Sequence, residues 1–458
     1  MKISIYAAMA VLLTLSSCSQ EGPSGARISG DGNRIYFRSY LPTVSQTRAE
    51  VISQETLTEC RVTSINPDDN NHPATGEMTP YFSDISFQKD GEGNFLPEDE
   101  ESCMWPDTRS RLHFFAYYPS AEKMQENINE GKFNLANHSE KTEDGTHLLD
   151  YRLEKFQVAP DIADHVDFIA AYANGTGKEN GESGIQLDFS HRLARIEIGV
   201  WGDNDKYDFE IAGVRIGNAL TEGDFCFSSL MSAEHAGEWL ATSQSAVEHI
   251  YTEGESTVLL SKDSGNHTSK ENAASIMGDY GTAMVIPMAE KIEAWEGKDD
   301  PDIDNPQYST NKLYFSVLLR VTNRKDGTVV YPYPNDLDSI PTVYLTVGED
   351  GKVSKRVYLI DDEYYTANQK DDELKFTETE TEKVHAFCWA SIPVGAKWEA
   401  GKIYTYKLNY SYGIGWHDPY GPIPGEPIIE RGMIPFEVEV ENWLPAEDYH
   451  PNLDVPKR

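Results

Sequence analysis

Asn33-Arg34-Ile35-Tyr36-Phe37-Arg38-Ser39-Tyr40-Leu41 alternates residue by residue. Ile35, Phe37 and Leu41 fall on one side, with Ser39 between them; Arg34, Tyr36, Arg38 and Tyr40 fall on the other. Successive side chains of a strand point to opposite faces, so this period of two predicts a half-buried strand. The period recurs along the chain. It is clean in Ile185-Gln186-Leu187-Asp188-Phe189, in 194–200 through Ile196, Ile198 and Val200, and in 208–216. Near the end, Tyr404, Tyr406, Leu408, Tyr410 and Tyr412 alternate, and Phe436, Val438 and Val440 are set against Glu437, Glu439 and Glu441. Residues 113–119, 166–172, 256–260, 282–287, 313–321, 341–347, 355–360 and 386–393 are further strand candidates. The 25 Tyr, 17 Phe and 8 Trp favour strands as well. Turn clusters such as Asn66-Pro67-Asp68-Asp69-Asn70-Asn71 separate the runs, and only 120–130 reads as a helix. Many short strands with little helical period predict an all-β protein built of sandwiches.

Upstream of the first strand, Met1 and Lys2 precede an apolar run over 3–15. That run has the length of a signal-peptide core and is too short to span a bilayer. It ends in Leu15-Ser16-Ser17-Cys18, which resembles a bacterial lipobox. The resemblance implies cleavage before Cys18 and a lipid on its thiol, hence a protein held on a membrane surface. Downstream of the first strand, a polar stretch over 42–50 carries Thr47-Arg48-Ala49.

The formal net charge is −37, and losing residues 1–17, with one Lys and no acid, makes it −38. Such acidity excludes nucleic acid as a partner and suits an extracellular surface. Length predicts two or three domains. The Gly- and Asn-rich stretch over 173–181 reads as a linker, which divides the chain into a signal peptide (1–17), a propeptide with a detachable strand (18–48), an N-terminal sandwich (49–180) and a C-terminal sandwich (181–458). Beyond Cys18, the remaining Cys60, Cys103, Cys226 and Cys388 fit no zinc spacing; they make two disulfides, with three connectivities open, or stay as buried thiols.

No catalytic motif stands out. H-E-x-x-H, G-x-S-x-G and the P-loop are all missing, and Gly175-Thr176-Gly177 does not fit a dinucleotide fingerprint. The acidic run over 299–304 lacks EF-hand spacing and reads as a solvated charge run. His191 is expected to pack. Aromatics over 412–420 supply either packing or a platform for a sugar ring. The chain is therefore expected to be no enzyme and to need no metal or cofactor.

Several stretches together resemble the fimbrillin family of Bacteroidales, the type V pilins. They are Cys18, the strand over 34–41, Thr47-Arg48-Ala49, Phe114-Phe115-Ala116-Tyr117-Tyr118-Pro119, Asp188-Phe189-Ser190-His191-Arg192-Leu193-Ala194-Arg195-Ile196, Trp398-Glu399-Ala400-Gly401-Lys402-Ile403-Tyr404-Thr405-Tyr406, and the close at Asn442-Trp443. The resemblance implies two tandem antiparallel β-sandwich domains of transthyretin-like Greek-key type. It also implies a surface-exposed outer-membrane lipoprotein of the fimbrium, cut by an arginine-specific protease after Arg48 so that Ala49 becomes the N-terminus; Arg27 is another loop arginine open to cutting. The strand carrying Ile35, Phe37 and Leu41 would leave, and the terminal strand of another subunit would fill its groove. In this chain Phe436, Val438 and Val440 mark the candidate C-terminal strand, because the tail over 444–458 is polar and contains Pro. Should that strand belong to the subunit's own sandwich, the chain accepts a strand without offering one, as a tip or terminal subunit does; without a cleavable strand it would be an anchor. The expected partners are other fimbrial subunits, the outer membrane through the lipid, and a host or bacterial surface receptor. The competing reading is a surface carbohydrate-binding lipoprotein.

Overall fold

The computed structural model describes residues 33–41, 52–66, 80–98, 103–125, 134–141, 147–229, 237–278, 281–287, 312–334, 340–360, 363–370, 373–378, 383–393, 397–418 and 434–443, with a few shorter pieces between them. The protein is all-β. The chain starts in one sheet with β1 (Phe37–Tyr40), β2 (Glu59–Ile65), β3 (Pro80–Lys89), β4 (Asn94–Pro97) and β5 (Arg111–Tyr118). It crosses to a second sheet for the hairpin β6 (Asn134–Lys141) and β7 (His147–Gln157). It then returns for β8 (Ile169–Thr176), β9 (Ile185–Asp188) and β10 (Ser190–His191). The resulting eight-stranded sheet runs β9-β1-β4-β3-β2-β5-β8-β10.

The rest of the chain makes a two-layer sandwich. One layer pairs β11 (Ala194–Trp201) with strands further along the chain. The other is a large sheet containing β12 (Tyr207–Ser229), β13 (Trp239–Ile250), β14 (Lys312–Asn323), β15 (Thr342–Val347), β16 (Val353–Ile360), β17 (Glu363–Lys370), β18 (Glu373–Glu378) and β19 (Val384–Pro393). The small layer is completed by β20 (Lys402–Asn409) and β21 (Phe436–Asn442); among the described residues β21 pairs with β20 alone and lies at the sheet edge. Neighbours are mostly antiparallel; β1 with β9 and β11 with β20 are parallel.

Alternation distributes side chains between two main cores. From β5, Leu112, Phe114 and Ala116 enter the first core, while Phe115 and Tyr117 point the other way into the second. All members of the first core come from the eight-stranded sheet and the segments joining its strands, so that sheet curls round its own interior. The second core is closed by Ile196, Ile198 and Val200 of β11 and Tyr404, Tyr406 and Leu408 of β20 against Phe209, Ile211, Val317 and Leu319 of the large sheet.

The stretch over 173–181, expected as a linker, is instead the end of β8, paired with β5, followed by a helical turn, Gly177–Asn180. Thr176 caps that turn through its hydroxyl to the Glu179 N–H. Its Gly and Asn residues serve close approach rather than flexibility. A Cβ on Gly175 would lie 2.2 Å from Asn180 Oδ1. Because β9 and β10 follow, strands on both sides of residue 181 share one sheet. The expected helix over 120–130 is present as Ala121–Gln125, and its remainder lies outside the described residues.

Candidate functional site: the slot of the first strand

β1 is an interior strand, hydrogen-bonded on both sides. Against β4 it runs antiparallel, Phe37 opposite Phe95 and Arg38 opposite Asn94. Against β9 it runs parallel, from Phe37 opposite Ile185 to Tyr40 opposite Asp188. The ladders extend past the strand ends. The Ile35 N–H donates to the Cys103 carbonyl at 2.9 Å, and the Trp105 N–H to the Asn33 carbonyl at 2.7 Å. On the other side, the Ile185 and Phe189 N–H groups donate to the Tyr36 and Tyr40 carbonyls at 3.0 and 2.9 Å.

The side chains fill pockets. Ile35, Phe37 and Leu41 are at most 1% exposed. The Phe37 ring meets Phe87 and Phe114 edge-on, with centroids 4.8 and 5.2 Å apart. Three such side chains at ~1.5–3 kcal/mol each hold β1 in place with a gross contribution of about 4–9 kcal/mol. Tyr36, expected to face outward, is buried as well. The loop before β9 covers it: its hydroxyl donates to the Glu182 carbonyl at 2.7 Å, and Gly184 packs close against its ring. Gly184 has φ +71°, and a Cβ there would fall 2.5 Å from the ring. Burial raises the Tyr36 phenol above its usual pKa.

A turn that follows in sequence closes the slot's end. The Ile52 N–H donates to Asp167 Oδ2 at 3.1 Å, and Asp167 Oδ2 in turn lies 2.9 Å from His191 Nδ1. The Ser53 N–H donates to Thr56 Oγ1, and the Leu57 N–H to the Ser53 carbonyl, each at 2.8 Å. Lys89 Nζ donates to the Gln54 carbonyl at 2.8 Å. Sequence reading passed over Gln54, Asp167 and Gly184. A single polar residue in a polar stretch carries no periodic signal, although Gly after Glu182-Ser183 is a turn cue.

The fimbrillin-like family profile matches residues 47–443. The chain belongs to the fimbrillin-like family. The match opens at residue 47, so the first strand of this fimbrillin-like protein precedes the matched span. Membership makes it a structural protein of the fimbrial class. Solved structures similar to it include candidate cell adhesion proteins from Bacteroides ovatus and Parabacteroides distasonis and the fimbrial anchor protein Mfa2 from Porphyromonas gingivalis. The first is 14% identical with a TM-score of 0.35, covering 90% of this chain and 98% of its own. The second is 10% identical with a TM-score of 0.37, covering 91% and 98%. Mfa2 is 10% identical with a TM-score of 0.25, covering 80% and 99%. No curated protein matches the chain.

The other expected site residues of this fimbrillin-like chain are dispersed. Cys18, Arg48 and Ala49 lie outside the described residues, as does Asp299–Asp304 over 299–304. Phe436, Val438 and Val440 sit on β21, in a different sheet from β1. Phe436 and Val438 pack on the second core, whereas Val440 is 49% exposed. His191 packs as expected, its ring stacked on Trp443 at 4.2 Å and 2°. Cys60, Cys103, Cys226 and Cys388 are all buried thiols, so the disulfide alternative is not taken. Burial pushes the Cys388 thiol up to about 11 and Cys60 higher still, which keeps both protonated and unreactive. Of the aromatics near 412, Tyr412 is exposed, but Trp416 is buried edge-on against Trp295. Among the described residues, no group of three or more His, Cys, Asp or Glu is placed to hold a metal.

Proposed function

We propose that this fimbrillin-like chain is a subunit of a surface fimbria that receives a neighbour's strand in the slot vacated by β1. In this reading Cys18 carries the lipid that holds the precursor at the outer membrane. A cut after Arg48 makes Ala49 the new N-terminus and separates β1 from the folded body. The observation that carries the reading is the place of β1 between β4 and β9. Its loss would leave two unpaired ladders and three apolar pockets inside a sheet, an aggregation hazard until another strand pairs there. Main-chain bonds along such a strand supply affinity, and alternate side chains supply register. The start of the family match at residue 47 supports β1 being separable from the shared body.

The last strand supports a terminal position in the fibre. β21 pairs with β20 over seven residues of its own sandwich, from Lys402 opposite Asn442 to Leu408 opposite Phe436. A subunit that keeps this strand accepts without offering, which suits a tip or accessory subunit in contact with a surface receptor. Treating the full chain with an arginine-specific protease should give one stable product that begins at Ala49 and binds a terminal-strand peptide from another fimbrial subunit. A stable product that still carries residues 33–41, or one that binds no such peptide, defeats the reading.

A further inference from the structure

β4 pairs with β1 only at Phe37 and Arg38. Beyond them it turns away through residues 90–94, where the Asp90 N–H donates to the Asn94 carbonyl and Gly93 takes φ +88°. On that side, residues 39–41 meet no strand among the described residues. The Gln54 carboxamide stands there instead. Its Oε1 accepts from the Leu41 N–H at 2.7 Å, while its Nε2 donates to the Ser39 carbonyl at 3.3 Å and to Ser39 Oγ at 3.0 Å. In a parallel pair, one residue bonds the carbonyl before and the N–H after the residue opposite it. Here a side chain makes that pair of bonds around Tyr40.

We propose that Gln54 is a positioning residue that fixes the register of whatever strand lies in the slot, first the chain's own β1 and then a strand from a second subunit. The second half rests on the strand exchange proposed above; the first does not. A side-chain amide that bonds main chain is indifferent to most side chains the strand carries. It is sensitive to which main-chain groups face it. A slip of one residue turns the carbonyl and N–H to the other edge. A slip of two, which presents the same groups again, is opposed by the pockets that hold Ile35, Phe37 and Leu41. Only the Ser39 hydroxyl adds a side-chain preference. The carboxamide is preorganised. Asp167 holds the Ile52 N–H, Lys89 holds the Gln54 carbonyl, Ser53 and Thr56 close the turn, and the buried Leu57 bonds back to the Ser53 carbonyl. Little freedom is left to lose when a strand arrives. Gln54 also follows Arg48 in sequence, so a cut there leaves it on the body that must receive the guest.

Hydrogen exchange on the intact chain tests the first half. Gln54→Ala should speed exchange at the Leu41 amide by about three- to tenfold, the loss of one net hydrogen bond, with Phe37 unchanged. Gln54→Glu keeps an acceptor for that N–H and should restore the protection. An unchanged Leu41 rate in Gln54→Ala, or equal loss in both variants, overturns the proposal. For the second half, the protease-cut chain is titrated with a peptide of residues 33–41 and with its analogue carrying an ester between Tyr40 and Leu41. The ester also weakens the Tyr40 carbonyl that accepts from the Phe189 N–H, so both forms should prefer the amide peptide, the wild type by about three- to tenfold more than Gln54→Ala. An equal preference in the two overturns the guest role. If the cut wild type takes up neither peptide, strand exchange itself fails, and the exchange rates still decide what Gln54 does for β1.

Discussion

The first and last strands of this chain look alike on paper and live in opposite surroundings. Both place three apolar residues on one side of an alternating sequence, two apart in the last strand and interrupted by Ser39 in the first. β1 is paired along both edges, with Phe37 0% exposed. β21 is paired along one, and Val440 is 49% exposed. The difference shows that period two specifies a strand but not its place in a sheet. Neighbouring strands decide that place, and what covers the second face decides how far the side chains on it are buried. The loop that ends in Gly184 covers Tyr36, whereas among the described residues no loop covers Glu437, Glu439 and Glu441, which are exposed. Outward charge on an edge strand also discourages unwanted pairing.

Substitutions should widen that contrast most at the first strand. Phe37→Ala leaves a cavity between Phe87 and Phe114 and should cost about 3–5 kcal/mol in denaturant unfolding of the intact chain. A comparable loss from Val440→Ala, expected at no more than about 0.5 kcal/mol, would break the comparison. The last strand is gripped at its end instead. Trp443 is fully buried against His191, so Trp443→Ala should cost nearly as much as Phe37→Ala.

Gly184→Ala comes next, at about 1–3 kcal/mol, because it combines a positive φ with a clash on the Tyr36 ring. Much of that cost should disappear in a Tyr36→Ala background, where the ring is gone and only the backbone strain remains.

A pH titration separates the first sheet from the sandwich that follows. On β13, His249 lies between Asp161, at 3.0 Å from Nδ1, and Glu255, at 2.9 Å from Nε2. Burial alone lowers its pKa, but the two carboxylate hydrogen bonds more than offset this and raise it to about 9. A raised pKa stabilises the fold fully below the unfolded value of about 6.5, and that contribution fades as pH rises through about 9. Between those limits, amides of β13 should lose exchange protection while those of β1 keep theirs. The smallest effect belongs to Lys270, which pairs with Glu437 and Glu439 on the exposed face of β21. Lys270→Ala should leave the thermal midpoint unchanged and affect only local exchange along β21, since exposed pairs contribute little.

Much of this was legible from residue types. Strands expected over 194–200, 208–216 and 313–321 are present; the one over 33–41 is regular at Phe37–Tyr40, and the one over 404–412 ends at Asn409, with Tyr410 and Tyr412 in the turn beyond. The hidden parts have physical causes. β12 continues past 216 to Ser229, because Gly217 and Asn218, the latter at φ +58°, shift the register without ending the strand. The stretch over 173–181 has a linker's composition but uses its small residues for contact. The slot was half legible. Ile35, Phe37 and Leu41 announced an apolar face, while Gln54 and Asp167 act through single hydrogen bonds that leave no pattern in sequence.

β1 runs alongside β9 and against β4. A substitute strand therefore fits in one direction only, since reversal would turn both ladders into mismatched spacings. In a fibre joined through such slots, every subunit would point the same way. Donor and acceptor are unlike surfaces, so subunits carrying both would stack head-to-tail, and a chain that accepts without offering would close one of the two chemically different ends.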